Sequence, residues 1–142
     1  MSRKIKKQSR TTLKRKLNAD TRSDIVKRCL EMLNCVKLYH WATYSYSQHI
    51  ATDDLYSDLN KHVDEFVEIM LGKTKQRIKQ IQLNNSYDVG SKAKFMACVK
   101  DFKEYLIDMR HVLSPVTDTN LMNIRDEILG TLDKLCYLFE LR

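Results

Sequence analysis

Residues 40–56 read HWATYSYSQHIATDDLY, and residues 64–68 read DEFVE. Between them His40, His49, Asp53, Asp64 and Glu68 offer two imidazole nitrogens and three carboxylates. Such a mixed donor set suits iron, manganese or zinc; calcium prefers oxygen alone, and copper(I) prefers sulfur. Taken singly, each residue has an ordinary explanation. His40 continues an apolar track and would serve as a hydrogen-bonded core histidine. His49 and Asp53, four apart, would make a helix surface pair, and Asp64 and Glu68 would edge a solvated face. The joint pattern of types and intervals is what points to a metal.

Elements must hold those residues in place. Three glycines and one proline in 142 residues leave little turn material for strands, while 43% apolar content supplies a core, so the chain reads as all-α. A first helix is expected over about 20–44, with Ile25, Cys29, Leu33, Val36 and His40 on one face and Asp20, Thr21 and Asp24 at its start. A second, over about 48–72, carries Leu55, Leu59, Val63, Phe66 and Met70, with Gly72 as its stop. Residues 73–90 read mainly as a connection, with room for a short helix at 75–82. The third helix covers about 91–113 with Phe95, Cys98, Phe102, Leu106, Met109 and Leu113. After SPVTDTN, the fourth covers about 119–141 with Leu121, Ile124, Ile128, Leu132, Leu135 and Leu138. These make a four-helix bundle over 19–142. Its long middle connection stands where a ferritin-like bundle crosses over; an up-down-up-down bundle with a loose loop is the other arrangement.

On the second helix, at 100° per residue and with His49 at zero, Asp53 falls near about 40°, Asp64 near about 60° and Glu68 near about 100°. All four share one third of the helix with Tyr56, Val67 and Leu71, a face distinct from the core stripe. Apolar groups on a second face imply a neighbour. Asp53 and Asp64 stand about 16 Å apart along the axis, too far for one ion. If two copies of this helix pack antiparallel about a two-fold axis near Asp58 and Leu59, the His49 end of one meets the Glu68 end of the other. Two identical sites then form at the dimer interface. His40 joins them only if the chain reverses between about 43 and 48, and the polar TYSYSQ can supply that reversal.

At these residues the sequence resembles the Dps family of mini-ferritins. That family carries a His-Trp pair at the end of its first helix, then a His, an acid four residues later, an Asp eleven further on and a Glu four beyond. His40-Trp41, His49, Asp53, Asp64 and Glu68 match this order and keep the last three intervals. The His40 to His49 gap is nine residues where the family has about twelve, and the family's Gly-Pro is absent from it, so His40 is the ligand that depends most on the turn. The resemblance implies a di-iron ferroxidase site between subunits, manganese or zinc being the other candidate ions. It also implies a homo-oligomer of two-fold dimers, expected to be a dodecamer, and ferric mineral held inside the shell. Carboxylates stabilise Fe(III) more than Fe(II), so bound metal is easier to oxidise. Trp41 would sit beside the metal as an electron source or radical sink, or would simply pack.

The net charge of +7 belongs to one end. Residues 1–17 hold eight of the 25 Lys and Arg and none of the 18 acids, leaving 17 basic residues against 18 acidic in the remainder. Arg3, Lys4, Lys6, Lys7, Arg10, Lys14, Arg15 and Lys16, without an aromatic among them, suit phosphate contact without base readout. The expected division is a disordered basic tail over 1–18 that binds DNA non-specifically, followed by the bundle; an address for transport machinery or contact with an acidic membrane are the alternatives for the tail. The tail is too charged for a signal peptide, and no apolar run is long enough to span a membrane. A cytoplasmic protein associated with DNA or a nucleoid is expected, with the nucleus or a virus particle as alternatives. Cys29, Cys35, Cys98 and Cys136 fall on apolar helical positions without metal-finger spacing and read as buried free thiols. His62 and His111 read as structural or exposed. No nucleotide-binding or hydrolase motif is present. The rival reading is a structural nucleic-acid packaging or particle protein that keeps the bundle and lacks an active metal site.

Overall fold

A computed structural model of the chain describes residues 17–83 and 86–141 and builds four α-helices: α1 (Ala19–Ala42), α2 (Tyr46–Thr74), α3 (Lys92–Asp108) and α4 (Thr119–Glu140). No strand occurs among the described residues. The expected tail cations, Arg3 to Lys16, lie outside them. Leu17, counted with the tail by the sequence division, packs against the core, and Asn18 caps α1 by accepting the Thr21 N–H at 2.9 Å.

Side-chain contacts fix how the helices run. Tyr39 stacks on Phe95 at 4.2 Å, Cys35 meets Cys98, and Tyr105 bonds to Asp24, so α1 and α3 are antiparallel. Phe95 lies against Phe139 and Lys103 pairs with Asp133 at 2.5 Å, so α3 and α4 are antiparallel. Lys73, near the end of α2, donates to Asn120 at the start of α4. With the tight α1–α2 reversal, the helices run up, down, down, up. The packed pairs are α1–α2, α1–α3, α3–α4 and α2–α4, which puts α2 and α3 on a diagonal. Residues 75–91 therefore travel the length of the bundle as a crossover, and the up-down-up-down arrangement is excluded. No helix forms at 75–82.

The core is the expected stripes with local exchanges. Val99 is buried where Cys98 is only partly so, and Phe139 is buried where Leu138 is only partly so. Gly72 does not end α2. The helix continues to Thr74, whose hydroxyl donates to the Met70 carbonyl, and closes with Lys75 in the left-handed region at φ 55°. The third helix ends earlier than its apolar pattern, tightening into a 3-10 turn at Met109–His111. The loop to α4 is held by Asp118, which accepts the Ser114 N–H at 2.8 Å and faces Lys73 at 3.5 Å.

Candidate metal centre

The corner between α1 and α2 is three residues long, 43–45, and side chains build it. Ser45 N–H donates to the Thr43 hydroxyl, and the Ser45 hydroxyl caps α2 by accepting from Gln48 N–H. The Gln48 side-chain oxygen accepts from the Tyr39 hydroxyl at 2.5 Å and from the Thr43 hydroxyl at 3.2 Å. The reversal thus falls inside the polar TYSYSQ.

This turn sets His40 against His49. Their rings stack with centroids 3.8 Å apart and planes 16° from parallel. His40 Nδ1 donates to the His49 carbonyl, and His49 Nδ1 donates to the His40 carbonyl, each at 2.8 Å. A carbonyl oxygen only accepts, so each Nδ1 carries a proton, and in the neutral form of either ring Nε2 carries the lone pair. The His40 carbonyl lies in the last turn of α1, where helix carbonyls lack a helical partner; the ring of His49 satisfies it. Thr52, fully buried, donates its hydroxyl to the Gln48 carbonyl and sits 3.1 Å from His40 Nδ1. Among the described residues no buried side-chain N or O lacks a partner. His40 Nε2 makes no hydrogen bond there, so it reaches solvent rather than lying sealed in the core.

The remaining candidates stay apart within one chain. Asp53 is exposed one helical turn beyond His49; Asp64 and Glu68 are exposed farther along α2. None of the three makes a hydrogen bond or ion pair among the described residues. No three His, Cys, Asp or Glu side chains in these residues converge closely enough to hold an ion. Trp41 is 68% exposed and lies under the Lys37 ammonium at 5.5 Å. The second apolar face of α2 is also less open than the wheel implied. Val67 and Leu71 border a cavity of about 320 Å³ together with Val26 and with Ile78 and Ile81 of the crossover. The chain's own connection flanks that end of the face.

A family model matches residues 40–139, a span that opens at the stacked His40 and holds all five candidate ligands. The chain belongs to DUF5856, a family of unknown function. No curated protein and no solved structure matches it. Two residues of this corner escaped sequence reading: Gln48, which ties Tyr39 to Thr43, and Thr52, which sits against the His40 ring. Thr52 had a signal: it is a polar residue three before Leu55, on the buried stripe of α2.

Proposed function

We propose that this DUF5856 chain is a Dps-like ferroxidase that works as a two-fold dimer, with Fe(II) as its substrate and DNA as the surface it guards. One observation carries the reading: the reciprocal bonds that hold the Nδ1 protons of His40 and His49 on backbone carbonyls. A metal-ligating histidine characteristically donates its second ring N–H to a carbonyl or carboxylate, which fixes the ring and leaves the other nitrogen basic. Both rings here make that second bond, side by side, with His49 one turn from Asp53. The donor set fits a borderline cation once a second α2 brings Asp64 and Glu68 to the same place, and manganese or zinc would be bound by the same groups. The up-down-down-up order with its full-length crossover supports a ferritin-like bundle.

In this reading the histidines and carboxylates bind and orient two Fe(II), and two iron electrons reduce one peroxide, which takes up two protons and leaves as two waters. The eight cations of residues 1–16 support non-specific DNA binding, and assembly into a closed twelve-subunit shell is part of the proposal.

A second reading has its own observation. The two imidazoles spend their protons closing a helix corner, which is a complete structural role. A DNA-packaging or particle protein without metal chemistry would use them in the same way.

Anaerobic Fe(II) titration followed by peroxide separates the two. Stoichiometric oxidation in the wild type, lost in Asp64→Ala with Glu68→Ala, supports the ferroxidase; equal behaviour of both proteins leaves the structural reading. Deleting residues 2–16, which spares the packed Leu17, should abolish DNA retardation and leave iron oxidation intact.

A further inference from the structure

We propose that Cys35 and Cys98 form a peroxide-responsive dithiol site, in which Cys98 attacks a small hydroperoxide and Cys35 resolves the product into a disulfide joining α1 to α3. The sulfurs lie 3.1 Å apart across the helix pair. A bond needs ~2.05 Å, so the two must close by on the order of 1 Å. Both cysteines are free thiols in the structure.

The two sulfurs are not equivalent. Cys35 is 1% exposed. Cys98 is partly exposed and lines a cavity of about 400 Å³ whose walls include Arg28, Glu31, Tyr87 and Asp101. A small hydroperoxide fits that space and meets Cys98 first. Charge and hydrogen bonding agree with that order. The Cys35 S–H bond lowers the Cys98 thiol below its ordinary value, with help from Arg28, against burial and the Asp101 and Glu31 carboxylates. Cys35 is pushed up, first by that shared hydrogen bond and then by burial. The reactive species is the thiolate, so the accessible sulfur is also the nucleophile.

The chemistry balances as two steps. The Cys98 thiolate attacks the hydroperoxide, the O–O bond breaks, and with one proton the products are Cys98 sulfenic acid and an alcohol, or water when hydrogen peroxide is the oxidant. The Cys35 thiol then displaces hydroxide from that sulfur, its own proton leaving with the hydroxide as water. Two electrons pass from two thiols to one O–O bond. The disulfide closes a loop holding all of α2 and the crossover, so oxidation staples the two halves of the bundle. Nothing in this depends on the histidine pair or on iron.

The test treats the full chain with hydrogen peroxide in the presence of a metal chelator, blocks remaining thiols with an alkylating reagent, and maps the peptides by mass spectrometry. The expected result is loss of two of the four thiols, a mass lower by two hydrogens, and a single cross-linked peptide pair carrying Cys35 and Cys98. Cys35→Ser should accumulate a sulfenic acid at Cys98 that dimedone traps, and Cys98→Ser should abolish both products. Mapping of the unmutated protein decides the matter even where a variant folds poorly. Oxidation spread evenly over the four cysteines, or a disulfide that includes Cys29 or Cys136, overturns the proposal.

Discussion

His40 and His49 each donate a ring N–H to the other's backbone carbonyl at 2.8 Å, so the end of α1 and the start of α2 are closed by a reciprocal clamp. The clamp does two things with one geometry. It satisfies a helix-end carbonyl that has no helical partner, and it leaves both Nε2 atoms outside the clamp.

Breaking either half should cost stability without iron being present. His40→Ala leaves the His49 ring without its stacking partner and strips the Thr52 region of a donor. A loss of about 1–3 kcal/mol is expected from a hydrogen bond removed at a buried site. The double variant should lose less than the sum of the singles, by about 0.5–3 kcal/mol, because each ring depends on the other. Urea denaturation of the four proteins measures this; strict additivity would mean that the two rings act independently.

Much of the bundle was legible because a 3.6-residue period survives averaging over long helices. Every expected core position of α1 and α2 is buried, from Ile25 to Met70. The errors fall where tertiary contacts outweigh local signals. Gly72 looks like a stop, but Lys73 is tied to Thr117 and Asn120, and the helix is carried on past it. Phe139 takes the place of Leu138 because it completes the ring cluster with Tyr39 and Phe95. At the site, intervals along α2 were legible and the tautomers were not. The partners of Nδ1 are backbone carbonyls nine residues away, and a three-residue turn decides where those carbonyls point. The Cys35–Cys98 approach was hidden for the same reason, since sequence placed both thiols on apolar stripes and could not set the register between α1 and α3.

Tyr105 predicts an alkaline limb in stability. Burial, then its hydrogen bond to Asp24 at 2.8 Å, pushes the phenol well above its usual value of 10.0. A group whose folded pKa is raised contributes stability that is fully present below the unfolded value and lost as pH rises through the folded one. The wild type should therefore begin to weaken above about pH 10. Tyr105→Phe, lacking the ionisable hydroxyl, should be less stable near neutrality by about 1 kcal/mol and flatter on the alkaline side. Thermal melts across that range check both features; parallel curves for the two proteins would remove Tyr105 from the account.

Asp118 holds the loop between α3 and α4, accepting the Ser114 N–H while Lys73 approaches it. The residue is buried, so Asp118→Ala leaves a backbone donor without its partner and should cost about 1–3 kcal/mol. Lys73→Met should cost less, because Asp118 keeps its bond to Ser114 and the lysine is partly exposed. Denaturant midpoints for the two variants give the order, and a larger loss for Lys73→Met would reverse the assignment of which residue anchors the loop.

A site shared between copies makes a prediction that a single-chain site does not. His49→Ala and the Asp64→Ala/Glu68→Ala variant should each fail to oxidise Fe(II) alone. In a mixed dimer, the histidines of one variant face the intact carboxylates of the other, while the opposite interface is broken on both sides. Random remixing makes half the dimers mixed, and each has one good site in two, so about one quarter of wild-type oxidation should return. The exposed positions of Asp64 and Glu68 mean that this variant should fold normally, which circular dichroism verifies before mixing. Mixed protein that stays inactive after subunit exchange, shown by mass-labelled heterodimers, would rule out a centre assembled from the two α2 helices.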